Sequence, residues 1–187
     1  MLGISHKVES VVGSVSYNVD DYGAALCELH GCGLKIEHFD HHFNKPGAPP
    51  AYVWNSNEWL PARMKWKTLE TKQHFHPLTA PRDIFSKSLN ATIPAGDVIG
   101  IKAVVITKAE DSKGNIIHIE NNQIGAVYYD DMEDFTSWKT TGVPSLHVEC
   151  KKPDTVGITC ASAVNRIKSV IASRAGYVTT NELGPML

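Results

Sequence analysis

Residues 98–108 and 115–127 form two long apolar-rich segments on either side of Asp111-Ser-Lys-Gly-Asn115, where Gly114 can take the positive φ that a tight reversal needs. A hairpin of this length commits the chain to a β-sheet. Its first arm is apolar on both faces, which predicts a central strand.

Other segments fit around it. From Val11 to Val19 the apolar side chains Val11, Val15, Tyr17 and Val19 fall on odd positions, and Ser14, Ser16 and Asn18 fall on even ones, the pattern of a half-buried strand. Asp20 and Asp21 are expected to cap a helix beginning near Tyr22, carried by Ala24, Ala25, Leu26 and Leu29 and stopped by Gly31-Cys32-Gly33. A short helix is predicted over 35–43, a loop over 45–50 where three prolines lack donors, weak helix over 54–64 despite Pro61, strand over 66–75 and loop over 77–83. A strand over 145–150 leads to the clearest amphipathic helix, capped by Asp154 and closed by Arg174 and Gly176; Val156, Cys160, Ala163, Val164, Ile167 and Ile171 form its apolar stripe.

The order strand, helices, strands, helix predicts an α+β chain: an open mixed β-sheet with helices packed on one face, formed by residues 1–187 as a single domain. With 42% apolar content, 187 residues suffice to bury a continuous core.

Eighteen basic against 20 acidic side chains leave no positive field for a phosphate backbone, so nucleic acid is not an expected partner. No apolar stretch approaches a bilayer span and no basic-then-apolar leader opens the chain, which makes a cytoplasmic location the default expectation and a membrane an unexpected partner. Cys27, Cys32, Cys150 and Cys160 include no Cys-x-x-Cys spacing and are expected to be buried, reduced thiols.

Several stretches carry a resemblance. Tyr22-Gly23, Gly31-Cys-Gly-Leu34 with Ile36-Glu-His-Phe39, Ile93-Pro-Ala-Gly96 with Val98 and Gly100, Gly142-Val-Pro144, and the closing Ala163-Val-Asn165, Ile167, Val170-Ile171, Ala175-Gly176, Val178-Thr179 and Leu183 follow one family in order and spacing. Together they resemble the carboxy-terminal, substrate-binding and oligomerisation domain of 2,4-diaminopentanoate dehydrogenase and its relatives, a group related to dihydrodipicolinate reductase. The resemblance implies the same α+β sheet. It also implies a strand, glycine-rich turn and helix that seat a nicotinamide dinucleotide, and no Gly-x-Gly-x-x-Gly occurs in this sequence. Where relatives carry His-x-Gly before a Glu-Ser helix start, this chain reads Ala51-Tyr-Val-Trp-Asn-Ser-Asn57.

His41-His42-Phe-Asn-Lys45-Pro-Gly-Ala48-Pro49 is similar to the dihydrodipicolinate reductase motif whose histidines and lysine act near the transferred charge, although Pro50-Ala-Tyr52 replaces its Ser-Gly-Thr. In this reading His41 or His42 moves a proton and Lys45 steadies an oxyanion; in the alternative they are solvated helix-end residues. His38 and His42 have i, i+4 spacing but no third ligand, and no metal is expected. His118 and Glu120 share one face of their strand, as His147 and Glu149 share one face of theirs, and the four serve as acid-base candidates or as a hydrated sheet surface that joins a second copy. Tyr22, Tyr52, Trp54 and Trp59 are candidate walls for an apolar small-molecule substrate, with core packing as the alternative for such rings, Trp66, Trp138, Tyr128 and Tyr129 included.

Three functions fit. The preferred one is a stand-alone, cofactor-independent isomerase, cyclase or lyase that keeps a dehydrogenase substrate hollow and uses no cofactor. The others are the substrate-binding and oligomerisation subunit of a split NAD(P)-dependent dehydrogenase, paired with a separate nucleotide-binding chain, and a non-catalytic binding or assembly module. A homo-oligomer through the sheet face is expected, and the module reading in particular predicts stable self-association.

Overall fold

The computed structural model describes residues 5–183. Strand β1 (Lys7–Asn18) leads through a 3-10 turn at Val19–Asp21 to helices α1 (Ala24–Leu29), α2 (Phe39–Phe43) and α3 (Trp54–Met64). Strands β2 (Lys67–Thr79), β3 (Ile84–Ser86), β4 (Ala91–Ile93), β5 (Val98–Glu110), β6 (Ile116–Ala126), β7 (Phe135–Val143) and β8 (Leu146–Lys151) follow, then helices α4 (Thr155–Ile171) and α5 (Thr180–Leu183). Six strands make one sheet in the order β2-β5-β6-β1-β7-β8, and β3 and β4 pair apart from it. Only β1 and β6 run parallel among these pairs, so the sheet is mixed.

The predicted hairpin is β5 and β6. Asp111 accepts from the backbone N–H of Lys113 (2.8 Å) and Asn115 (2.9 Å), and Gly114 closes the reversal at φ 82°. Ile101, Ala103 and Val105 of β5 pack beneath Phe39, Phe43 and Val53, while Ala109, Ile117 and Ile119 pack beneath Leu60. These contacts place α2 and α3 on one face. Fully buried Asn57 fastens α3 there: its Nδ2 donates to Thr107 Oγ1 (2.9 Å) and its Oδ1 accepts from Asn121 Nδ2 (2.5 Å). A polar residue under a helix is tolerated because each of its bonding groups is used.

Several expectations need correction. Asp20 does not cap α1, which begins behind Gly23; it is buried, where it accepts from Ser86 Oγ (2.6 Å) and from the N–H of Lys87 and Ser88 (both 3.0 Å). Burial pushes its pKa up, but these hydrogen bonds and the Lys87 charge outweigh that and hold the carboxyl below its usual range. The predicted loop from 77 is still strand as far as Thr79, because Pro77 lies on an edge strand, where a missing donor costs the sheet nothing. Cys150 and Cys160 are exposed; Cys27 is buried and Cys32 half-buried, and all four are free thiols.

The largest surprise is α4. Its amphipathic pattern is real, but Val164 is 64% exposed, Ile167 52%, Val170 54% and Ile171 78%. Thr155, Ser162, Arg166 and Ser169 are its half-buried residues among those whose side chains are described. The side chain of Val156, part of the predicted stripe, lies outside those described. The periodicity identifies an apolar face and leaves open what that face covers.

Candidate functional site

The side-chain alternation of β6 sorts the candidates. Ile117, Ile119, Asn121 and Gln123 point to the helix-covered face, so His118 and Glu120 point to the other. Strand register carries this across the sheet: Glu120 pairs with Val12, Val12 with Lys139, and Lys139 with His147. His147 and Glu149 therefore share the bare face with His118 and Glu120. Three strand spacings, roughly 14 Å, separate the two pairs, too far for direct proton exchange.

His41 and His42 sit on α2, on the helix side, with His42 edge-on to Phe43 at 4.7 Å. Lys45 follows in the loop and lines an open hollow of about 220 Å³ with Asn44, Gln73 and His74 at the outer edge of β2. That edge is stoppered by side chains: Asn44 donates to Phe75 O (2.9 Å) and accepts from Phe75 N (3.0 Å), standing in for a missing strand. Among the described residues no three of His, Cys, Asp and Glu converge as metal ligands.

Of the aromatic candidates, Trp54 is half-buried against the α2 core and donates its Nε1–H to Glu58 (2.7 Å), and Trp59 is largely at the surface. Tyr22 meets Tyr17 edge to face at 6.3 Å and bonds the hydroxyl of Thr155 at the start of α4, whereas Tyr52 is 78% exposed.

Tyr17, which the sequence marks only as an apolar strand position, is the hub of this cluster. Its hydroxyl lies 2.8 Å from Nε2 of His30 and accepts from Nε2 of Gln123 at 2.5 Å. Buried His30 places Nδ1 2.8 Å from Leu26 O, and its ring fits under the sheet because residue 125 is glycine: a Cβ there would lie 2.5 Å from the imidazole. Burial lowers the His30 pKa, and the Leu26 carbonyl counteracts it only in part. Tyr17 is pushed up to about 12, by burial first, with the Gln123 bond opposing. Gln123 Oε1, by contrast, is sealed without a partner.

His30 and Gln123 carry no signal in the sequence. They lie 13 and 106 residues from Tyr17, and only the parallel pairing of β1 with β6 brings Gln123 beside that strand.

No Gly-x-Gly-x-x-Gly turn links a described strand to a described helix, and none of the described helices is long and apolar enough to cross a membrane. The fold matches the amine dehydrogenase from Mycobacterium smegmatis with a TM-score of 0.86 and 29% identity, over 100% of this chain and 54% of that one. The chain thus spans about half the length of that enzyme. No curated protein matches it significantly. Residues 1–186 match the family described as the 2,4-diaminopentanoate dehydrogenase C-terminal domain, and the chain belongs to that family.

Proposed function

We propose that this chain is the substrate-binding and assembly half of a nicotinamide-dependent dehydrogenase acting on an amine, working against a nucleotide-binding half in the same polypeptide or a separate one. The observation that carries this reading is the outward stripe of α4, where Val164, Ile167, Val170 and Ile171 stand in solvent while serines and an arginine face inward. Burying each such side chain is worth roughly 1.5–3 kcal/mol, so a helix with its apolar face outward is built to be covered. The similar amine dehydrogenase is nearly twice as long, which supplies a body of the right kind to cover it.

The described residues do not fit a dinucleotide, so hydride transfer is not a step that they can carry by themselves. This half supplies the walls and hydrogen bonds that position a substrate, and the cofactor brings the hydride chemistry. The bare sheet face, with Glu120, His147 and their neighbours, is the surface on which a second copy would pair. Neither the fold nor the matches favour a cofactor-free isomerase, cyclase or lyase over this reading.

The test is to mix the chain with a nucleotide-binding half of the amine dehydrogenase type and follow association by analytical ultracentrifugation. A one-to-one complex supports the proposal; two halves that sediment independently at tens of micromolar refute it.

A further inference from the structure

The two edges of the sheet differ. On β2, Asn44 occupies both backbone groups of Phe75, Gln73 binds the backbone of Pro49 and Ala51, and Pro77 offers no donor, so that edge is closed to a further strand along this stretch. On β8 nothing of the kind occurs. Five of its six residues are exposed, and it carries neither a proline nor a register shift. Just past its end Lys152 N donates to Asp134 O, before β7, at 2.8 Å, so alternation aims the N–H and C=O of His147, Glu149 and Lys151 away from β7. Among the described residues none of these outward groups has a backbone partner.

A second copy of β8 fits this edge, because the strand Leu-His-Val-Glu-Cys-Lys complements itself. Two copies related by a two-fold axis run antiparallel, and residues that face each other must then be both odd or both even in number. An axis through Val148 sets His147 against Glu149 of the second copy, and Glu149 against its His147, with the outward backbone groups of both in place to bond. On the other face Leu146 meets Cys150, and Val148, 54% exposed, meets itself. The neighbouring registers are worse. An axis through Glu149 opposes two carboxylates and sets His147 against Lys151; one through His147 opposes two imidazoles; one through Cys150 overlaps only 149–151 of the strand. Among the described residues the side chains of His147 and Glu149 have no hydrogen bond or ion pair of their own.

We infer that β8 is the joint between two copies of this chain, which pair edge to edge and antiparallel about Val148 and join their six-stranded sheets into one continuous sheet. The inference rests on the assembly part of the proposed function and deepens it, placing the joint at a strand edge rather than on the bare face. A dimer held by the face alone would leave that reading standing and sink this one.

The experiment combines sedimentation with amide hydrogen exchange on the full chain at pH 7. A dimer should form at tens of micromolar, and as it forms the N–H groups of His147 and Glu149 should exchange at least tenfold more slowly. Val148→Cys, in a chain that also carries Cys150→Ser and Cys160→Ser, should be trapped as a covalent dimer by copper phenanthroline; Ile106→Cys, on the bare face in the same background, should not. Glu149→His should weaken the dimer at least tenfold, and the exchange of the pair, His147→Glu with Glu149→His, should restore it. A monomer at hundreds of micromolar, unslowed exchange at both N–H groups in the dimer, trapping through position 106 in place of 148, or no rescue by the exchanged pair would each overturn the inference. Amide exchange on the unmodified chain decides the matter even if a variant fails to fold.

Discussion

Asn121 fills the space that Gly13 leaves open: a Cβ built on Gly13 would lie 2.0 Å from Asn121 Oδ1 and 2.9 Å from the Trp138 ring. The two residues are direct partners in the parallel pairing of β1 with β6. The chain has exchanged a side chain on β1 for a carboxamide and an indole that lie over the strand. Gly13→Ala should therefore cost at least the ~1–3 kcal/mol typical of overpacking, read as a drop of several degrees in Tm. An unchanged Tm would show that Asn121 and Trp138 do not crowd this position.

Asn57 closes the same region from the helix side. Removing its side chain strands Asn121 Nδ2, which donates to Asn57 Oδ1 at 2.5 Å. It also opens a gap under α3. Asn57→Ala should destabilise the fold by about 2–3 kcal/mol, measured by urea denaturation, because a buried donor is left unpaired.

Much of this fold is legible in the sequence, for reasons that can be named. The turn at Asp111 and Gly114 is local chemistry, so the central hairpin can be read directly, and the resemblance at Gly142-Val-Pro144 and Ala163-Val-Asn165 leads to the right family. Strand β7 escapes such a reading because Phe-Thr-Ser-Trp-Lys-Thr-Thr-Gly-Val offers few apolar positions, and its stability comes from pairing with β1 on one side and β8 on the other. The α4 stripe is visible, but its outward aim is not, since periodicity gives a face and never its partner. His118, Glu120, His147 and Glu149 do share one face as strand alternation requires; their separation depends on a strand order that the sequence does not state. The Tyr17 hub rests on contacts 13 and 106 residues apart, beyond the reach of any local pattern.

His30 also makes stability depend on pH. Its folded pKa is below the unfolded value of about 6.5, so between the two the unfolded chain holds a proton that the native chain refuses. Stability therefore falls as pH drops from 7 toward 5. His76, lowered by desolvation, His74 and Lys102, acts in the same direction. His30→Gln should make the decline in Tm between pH 7 and pH 5 shallower without abolishing it; an unaltered decline would show that the ring is not held neutral.

Gly114 can be probed alone. At φ 82° any side chain is strained, so Gly114→Ala should cost about 1 kcal/mol in a denaturant titration and leave ligand binding untouched.

On α4, Ile167 points away from the rest of the chain at 52% exposure. Ile167→Glu should leave the Tm of the isolated chain within a degree or two. The same change should weaken its complex with a nucleotide-binding half by tenfold or more. A large loss of stability in the isolated chain would mean that the stripe is already buried within it.

The most direct measurement is amine-dependent reduction of NAD(P)+ by the chain alone, by a nucleotide-binding half of the amine dehydrogenase type alone, and by the two combined. The account predicts turnover only in the combination, lost in Ile167→Glu. Turnover by this chain without a nucleotide-binding half would contradict it.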